Sequence, residues 1–176
     1  GLETYYAQMR QIDNLLADPD AGLSPVMQDF FASLHEVSAD PSSIPARQSV
    51  LSTAEALAGR FQGMGESLRE IEQGVNSQIT TSVTLINSYG EQIAQLNDAI
   101  GRAQRSTGQP PNDLLDQRDQ LVLDLNKEIK ATVVKQDDGA YNIFIGNGQP
   151  LVMGNKASQL VATSAPPNPE KIEIGY

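Results

Sequence analysis

The sequence predicts a mainly α-helical fold with a β portion: an elongated helical bundle or coiled-coil rod, followed by β-hairpins of a partial β domain. Two observations lead to this prediction. One heptad pattern of apolar residues continues over residues 51–100, which is longer than an ordinary globular helix. After residue 131 the pattern changes to short alternating runs separated by glycine turns. We therefore expect an elongated helical rod domain over residues 1–130 and the start of an incomplete β-rich domain over 131–176.

Three shorter helices are expected beside the heptad segment. Residues 2–17 repeat apolar side chains every three or four positions, as an amphipathic helix does. Ser24-Pro25 is typical of a helix start, because Ser caps well and Pro is tolerated in the first turn. A further helix is predicted near 112–130, with Asn112 as its cap. It should fold back on the long helix, since a short loop favours antiparallel neighbours.

The long helix, expected to begin near Pro45, carries an isoleucine every seven residues from Ile79 to Ile100. These residues define the a positions of a predicted packing seam, in which Gly65 and Glu72 are the weak a positions. The seam residues are Leu51, Phe61, Leu68, Val75, Ile79, Ile86, Tyr89, Ile93, Leu96 and Ile100. A straight helix over 51–100 is about 75 Å long, against about 24 Å and 29 Å for helices 2–17 and 112–130. The seam is therefore expected to exceed what these two helices can cover.

The β portion is predicted from its turns. Asp137-Asp138-Gly139 separates two β-branched runs, which is typical of a β-hairpin. Gly146-Asn147-Gly148 indicates a second turn, leading to a strand at 151–153. Residues 165–170 contain three prolines and predict a linker. Another strand is expected from Lys171.

Composition excludes several classes of function. The net charge is -10 and the pI is about 4.4, so neither nucleic acid nor an anionic membrane surface is expected as a partner. The chain has no cysteine, which removes disulfides, thiolate nucleophiles and cysteine-based metal sites. It begins with Gly1 rather than Met and shows no signal peptide, so we expect a part of a longer protein.

Candidate chemistry is sparse. His35 is the single histidine, and triad chemistry needs a nucleophile and an acid beside it. Asp113, Asp116 and Asp119 share one face of a predicted helix, as metal ligands or an acid–base pair would. A charged surface that also includes Arg118, stabilised by the helix dipole, is the favoured interpretation. We expect no catalytic, cofactor-binding or metal-binding residues, and no enzymatic activity.

Five local sequences resemble flagellar hook-associated protein 1, in that family's order. They are residues 23–31, 40–47, 86–100, 112–121 and 138–152. The most recognisable is Asn112-Asp113-Leu114-Leu115-Asp116-Gln117-Arg118-Asp119-Gln120-Leu121. Within it, Leu115 and Leu121 are expected to face the long helix.

The resemblance implies a structural axial component of the bacterial flagellum, which polymerises as a tube-wall subunit between hook and filament. It implies an extracellular location reached by the flagellar type III pathway, and hook protein and the third hook-associated protein as partners. The full-length protein should be a homo-oligomer, whereas this chain lacks the family's terminal helices and is expected to be a monomer or small dimer. A generic coiled-coil adaptor or phage-tail-like component is the alternative.

Overall fold

The computed structural model describes residues 22–165 and 168–175, together with residues 6, 9, 10, 12 and 13. A long helix is followed by antiparallel strands, which confirms the predicted mainly helical fold with a β portion. The helix predicted over 2–17 lies for the most part outside the described residues. The described elements are α1 (Leu23–Ala39), α2 (Ile44–Thr107), α3 (Asn112–Glu128), β1 (Ala131–Lys135), β2 (Tyr141–Ile145), β3 (Gln149–Met153), β4 (Lys156–Ala157), β5 (Val161–Ala165) and β6 (Asn168–Gly175).

Packing divides the chain into two compact units, residues 2–73 and residues 74–176. The division falls within α2, because the strands pack on the later part of this helix and on α3. The change from helix to strand at residue 131 thus lies inside the second unit. Whether residues 131–176 also fold as a separate domain stays a prediction. In the described part of the chain, no helix combines the length and apolarity that crossing a bilayer requires.

In the first unit, the loop between α1 and α2 is fixed by its own side chains. The Asp40 carboxylate accepts hydrogen bonds from the Ser42 hydroxyl at 2.7 Å and the Ser42 N–H at 3.1 Å. The hydroxyl bond is the main reason that the pKa of Asp40 is lowered. Ser43 Oγ accepts from Ala46 N–H and so caps α2. Beyond the loop, Ser33 and Thr53 join the two helices by a 2.7 Å hydroxyl contact.

Helix α1 begins earlier than the sequence predicts. It starts at Leu23 after Gly22, and no side chain caps it. Ser24 is therefore inside the first turn, and its predicted role as the cap is wrong. Asn112 is likewise the first residue of α3 and not its cap, because Pro111 stands at the cap position. The Pro111 carbonyl accepts the N–H groups of Leu114 and Leu115, which closes the first turn through the backbone.

The second unit contains a four-stranded antiparallel sheet in the order β1-β2-β3-β4. The turns at Gly139 and Gly146-Asn147-Gly148 lie where the sequence predicts them, and all three glycines have the positive φ that such turns favour. The linker predicted over 165–170 is wrong in its later half, since β6 begins at Asn168. That residue is already in register with Ala165 of β5, so strand pairing satisfies backbone groups there.

One apolar core joins α2, α3 and the four-stranded sheet, and half-buried Ala162 of the two-stranded β5–β6 sheet packs against it. Its buried members are Val83, Ile86, Ile93, Ala94, Leu125, Ile143, Ile145, Leu151, Val152 and Leu160. The helix approaches the sheet closely at Gly90, where an added Cβ would lie 3.4 Å from Leu151 Cγ. Because helices and strands bury the same side chains together, the secondary-structure boundary at 131 is not a boundary of this core.

Helix α3 folds back on α2, as the sequence predicts. Arg118 contacts Asn97, while Glu128, ten residues further along α3, accepts a bond from Ser82. Contacts that advance along α3 therefore retreat along α2, which is the pattern of an antiparallel pair. Leu121 packs against the core as a half-buried side chain.

The core position of α3 can be tested by comparing two leucines two residues apart. Leu125 is fully buried, whereas Leu123 is 60% exposed. We expect Leu125→Ala to lower the free energy of unfolding by about 2–5 kcal/mol, because a buried leucine leaves a cavity. Leu123→Ala should change it by less than about 0.5 kcal/mol. Urea unfolding followed by circular dichroism measures both, and equal effects would contradict the described packing of α3.

Candidate functional site

The family-like motif at the start of α3 divides between surface and core. Its three aspartates, Asp113, Asp116 and Asp119, are exposed together with Asn112. Its three leucines, Leu114, Leu115 and Leu121, are half-buried. Arg118 is only 1% exposed. It therefore does not belong to the charged surface of the aspartates, and that part of the sequence interpretation is wrong. The helix turns this side chain toward α2 and the sheet.

Arg118 is held by neutral groups. Its Nη1 donates to Asn97 Oδ1 at 2.9 Å and to the Gly139 carbonyl at 3.0 Å. The guanidinium carbon lies 3.5 Å from the centre of the Tyr141 ring, the geometry of a cation–π contact. The buried Nε has no hydrogen-bond partner. The cation is thus stabilised by carbonyl dipoles and an aromatic face.

Asn97 lies on α2 and is 5% exposed. Its Oδ1 also accepts from the Tyr141 N–H at 3.0 Å, and its Nδ2 donates to the Tyr141 carbonyl at 2.9 Å. The same Nδ2 donates to the Gly154 carbonyl at 2.6 Å. One side-chain amide therefore bonds both backbone groups of Tyr141, as a neighbouring strand would. We call Asn97, Arg118 and Tyr141 with these carbonyls the polar clamp.

Asn87 repeats this arrangement ten residues earlier on α2. Its Nδ2 donates to the Leu160 carbonyl at 2.9 Å, and its Oδ1 accepts from the Leu160 N–H at 2.8 Å. Asn142 on β2 adds to the polar clamp. Its Oδ1 accepts a hydrogen bond from the N–H of Gly154, whose carbonyl is bonded to Asn97. Asparagine amides thus attach two backbone segments to α2: the start of β2 at Tyr141, and Leu160 just before β5.

Sequence reasoning did not assign a role to either asparagine. Asn87 and Asn97 lie in the family-like segment of α2, but heptad analysis considers apolar positions. Asn87 is at b and Asn97 at e of the heptad register, outside the a and d positions, and α2 carries other amides such as Gln92 and Gln95. No sequence signal therefore singled out these two asparagines.

The predicted seam residues fall into three groups along α2. Three are exposed, three are buried and four are half-buried. The exposed residues are Leu51, Phe61 and Leu68, the buried residues are Ile86, Ile93 and Ile100, and the half-buried residues are Val75, Ile79, Tyr89 and Leu96. The buried group lies in the second unit, where α3 and the sheet cover it. The single continuous seam stays a prediction for the part that remains exposed.

The described residues show no assembled reactive centre. His35 is exposed on α1. Within the ranges that the structure describes, no three His, Asp or Glu side chains are placed to hold a metal ion. A groove of about 700 Å³ lies between α2 and α3, with Leu96 and Leu121 among its lining residues. At its rim Arg102 forms an exposed 3.1 Å ion pair with Asp98.

Together the shared core and the polar clamp define a class of protein: a structural α-helical domain with a sheet fastened to its long helix. Comparison with known proteins identifies the family. The family model for the flagellar hook-associated protein FlgK helical domain matches residues 9–176. This chain therefore belongs to the FlgK family of flagellar hook-associated proteins, which confirms the resemblance seen in the sequence.

Comparison with individual relatives supports the same family assignment. The chain is 44% identical to flagellar hook-associated protein 1 of Salmonella typhimurium, over 100% of the chain and 32% of that protein. It is 41% identical to that of Escherichia coli, with the same coverage. The solved structure of the flagellar hook junction protein FlgK from Burkholderia pseudomallei matches with a TM-score of 0.87 at 36% identity, covering 98% of this chain and 30% of that one. The chain thus spans about a third of the length of these relatives.

The polar clamp gives a testable energetic prediction. Removing Asn97 leaves the Tyr141 N–H and the buried Arg118 without this partner, so Asn97→Ala should lower the unfolding free energy by about 2–4 kcal/mol. Arg118→Ala should cost a similar amount. The double variant should cost less than the two single effects added together, because the residues share bonds. Denaturant unfolding of the four proteins measures this coupling.

Arg102→Ala provides the control for removal of an arginine. Its ion pair with Asp98 is exposed, so the change should cost less than about 0.5 kcal/mol. Additive effects of Asn97→Ala and Arg118→Ala would show that the clamp does not act as one network.

Proposed function

We propose that this chain is the helical-domain portion of a flagellar junction subunit, which polymerises as part of a tube wall between hook and filament. The observation that carries the proposal is the family match over residues 9–176, together with 44% identity to the Salmonella typhimurium relative along the whole chain. The relatives are described as flagellar hook-associated proteins, which favours this function over a generic coiled-coil adaptor or phage-tail-like component.

The role follows from what a wall subunit must do physically. Such a subunit has to transmit load without changing its internal packing. The second unit suits this requirement, because α2 and the strands share an apolar core, and because Asn97 bonds the backbone of β2 and Asn87 bonds the backbone of Leu160, just before β5. We infer a structural role without catalysis, in keeping with relatives that are structural flagellar proteins.

The partners proposed for the full-length protein are further copies of itself, hook protein and the third hook-associated protein. The proposed location is extracellular, at the hook–filament junction, reached by export through the flagellar type III pathway. The chain alone should not build the junction, since it spans about a third of the relatives' length. On isolated hooks it should form neither caps nor extended tubes, as electron microscopy would show.

A chimera tests the proposed function in the cell. The matching segment of the Salmonella typhimurium protein is replaced by this chain, and the chimera is expressed in a strain that lacks the native protein. We expect filaments and swimming to return, because the two segments are 44% identical over their full length. Swimming-plate diameter and electron microscopy of filaments measure the result.

Two variants of the chimera separate folding from surface chemistry. Ile93→Asp places a charge at a fully buried position, so it should abolish filaments by unfolding the domain. Asp113→Asn changes an exposed carboxylate and should leave swimming unchanged. A well-expressed chimera that is exported but builds no filament would contradict the proposal.

A further inference from the structure

The turn between β2 and β3 contains an asparagine followed directly by a glycine. Gly146, Asn147 and Gly148 form the loop that connects the paired residues Ile145 and Gln149. Both glycines have a positive φ, 55° at Gly146 and 95° at Gly148. The Gly148 N–H donates to the Ile145 carbonyl at 3.1 Å, and this bond closes the turn. The Asn147 amide is therefore followed by a backbone nitrogen whose own residue carries no side chain.

An asparagine and the backbone nitrogen after it can react with each other. The Gly148 nitrogen attacks the side-chain carbonyl carbon of Asn147, so that a C–N bond forms. The bond from this carbon to Nδ2 breaks, and ammonia leaves with the proton from the Gly148 amide. Water then adds to one of the two carbonyls of the resulting cyclic imide and breaks its bond to the Gly148 nitrogen. The product is aspartate or isoaspartate, and water is the sole co-reactant.

The following residue decides which asparagine reacts fastest. A side chain there crowds the attacking nitrogen, and glycine has none. The Asn-Gly pair occurs once in the sequence, at Asn147-Gly148. Asn155 is the matched comparison, because it also lies in a turn after a glycine but is followed by Lys156.

The turn bond holds the nitrogen back while the β2–β3 hairpin is closed. Attack requires the Gly148 amide to lose its proton, and the Ile145 carbonyl accepts a hydrogen bond from that proton. The same bond opposes rotation of the backbone toward the Asn147 side chain. Local opening of a hairpin costs less free energy than unfolding of the whole unit. The reaction is therefore expected to proceed from the open hairpin.

The turn between β1 and β2 is held by more contacts. The Gly139 N–H donates to the Gln136 carbonyl at 2.9 Å, and the Gly139 carbonyl accepts from buried Arg118. Asp138 Oδ1 accepts from the Ala140 N–H at 2.9 Å. Ring closure at Asp138 would have to break these bonds, one of which belongs to the polar clamp. The polar clamp thus protects the first hairpin turn, and it does not include Asn147.

We propose that Asn147 is a modification site, at which the chain spontaneously loses ammonia to give aspartate and isoaspartate, and that opening of the β2–β3 hairpin sets the rate. Isoaspartate runs the backbone through the side chain and adds one carbon to the three-residue loop between Ile145 and Gln149. Ile145 before the loop and Leu151 after it are buried in the core. The longer loop should disturb their packing, whereas aspartate keeps the loop length and adds one negative charge.

Peptide mapping by mass spectrometry tests the site on the 176-residue chain, incubated at mildly alkaline pH with and without guanidinium chloride. Asn147 should be the first asparagine modified in both solutions, and Asn155 should react more slowly. The denaturant should accelerate the reaction at Asn147 at least about tenfold, because the turn bond is then open. Asn147→Gln should remove the modification, since the longer side chain closes its ring far more slowly.

Two neighbouring residues of β3 test control by the hairpin. Val152 is fully buried, whereas Met153 is 48% exposed. Val152→Ala weakens the packing of β3, so it should raise the rate at Asn147 without denaturant at least about threefold. Met153→Ala should leave the rate unchanged. Ile143→Val, a milder change at the residue paired with Val152, should act in the same direction as Val152→Ala. Circular dichroism checks that all three variants stay folded.

Three outcomes would overturn the proposal. They are earlier modification of another asparagine in the folded chain, equal rates with and without denaturant, and equal rates in Val152→Ala and Met153→Ala. None of these measurements uses hooks or filaments, so they are independent of the chimera experiment.

Discussion

The side-chain amide of Asn97 bonds both backbone groups of Tyr141, as a neighbouring strand would, and the packing of the second unit depends on this contact. A helix satisfies its own backbone, whereas the start of β2 leaves the N–H and carbonyl of Tyr141 facing α2. Buried backbone groups need partners, and an unpaired one costs as much as a lost hydrogen bond. Asn97 supplies both a donor and an acceptor at this point. The same geometry at Asn87 attaches Leu160, just before β5, to the same helix.

Arg118 adds a buried cation to this attachment without a carboxylate partner among its contacts. Burying a charge is costly, and a lone hydrogen bond does not compensate for it. Here the charge is distributed over the Asn97 oxygen, the Gly139 carbonyl and the Tyr141 ring. The three groups come from α2, the first hairpin turn and β2. One side chain of α3 therefore connects the three elements around it.

Helix α2 carries one heptad pattern of apolar residues, which are buried in its later part and exposed in its first part. From Val83 onward its apolar side chains are buried with α3 and the strands in a common core. Before residue 69, Leu51, Phe61 and Leu68 are exposed. The same periodicity thus accompanies a buried core in one unit and exposed apolar side chains in the other. The difference is that Leu125 of α3 and residues of β2 and β3 pack on the later part of the helix.

The sequence by itself determined the helix type and its length, the antiparallel return of α3, the two glycine turns and the family. These properties depend on local spacing: heptads, turn glycines and short loops act between residues that are near in the chain. The tertiary structure decided the role of Arg118, which looks like part of an exposed charged face beside Asp113 and Asp119 until the packing of α3 turns it inward. It also decided the roles of Asn87 and Asn97. A polar residue in a helix is ordinarily expected to face solvent. Asn87 and Asn97 instead bond backbone groups that are distant in the chain and that only folding brings opposite them.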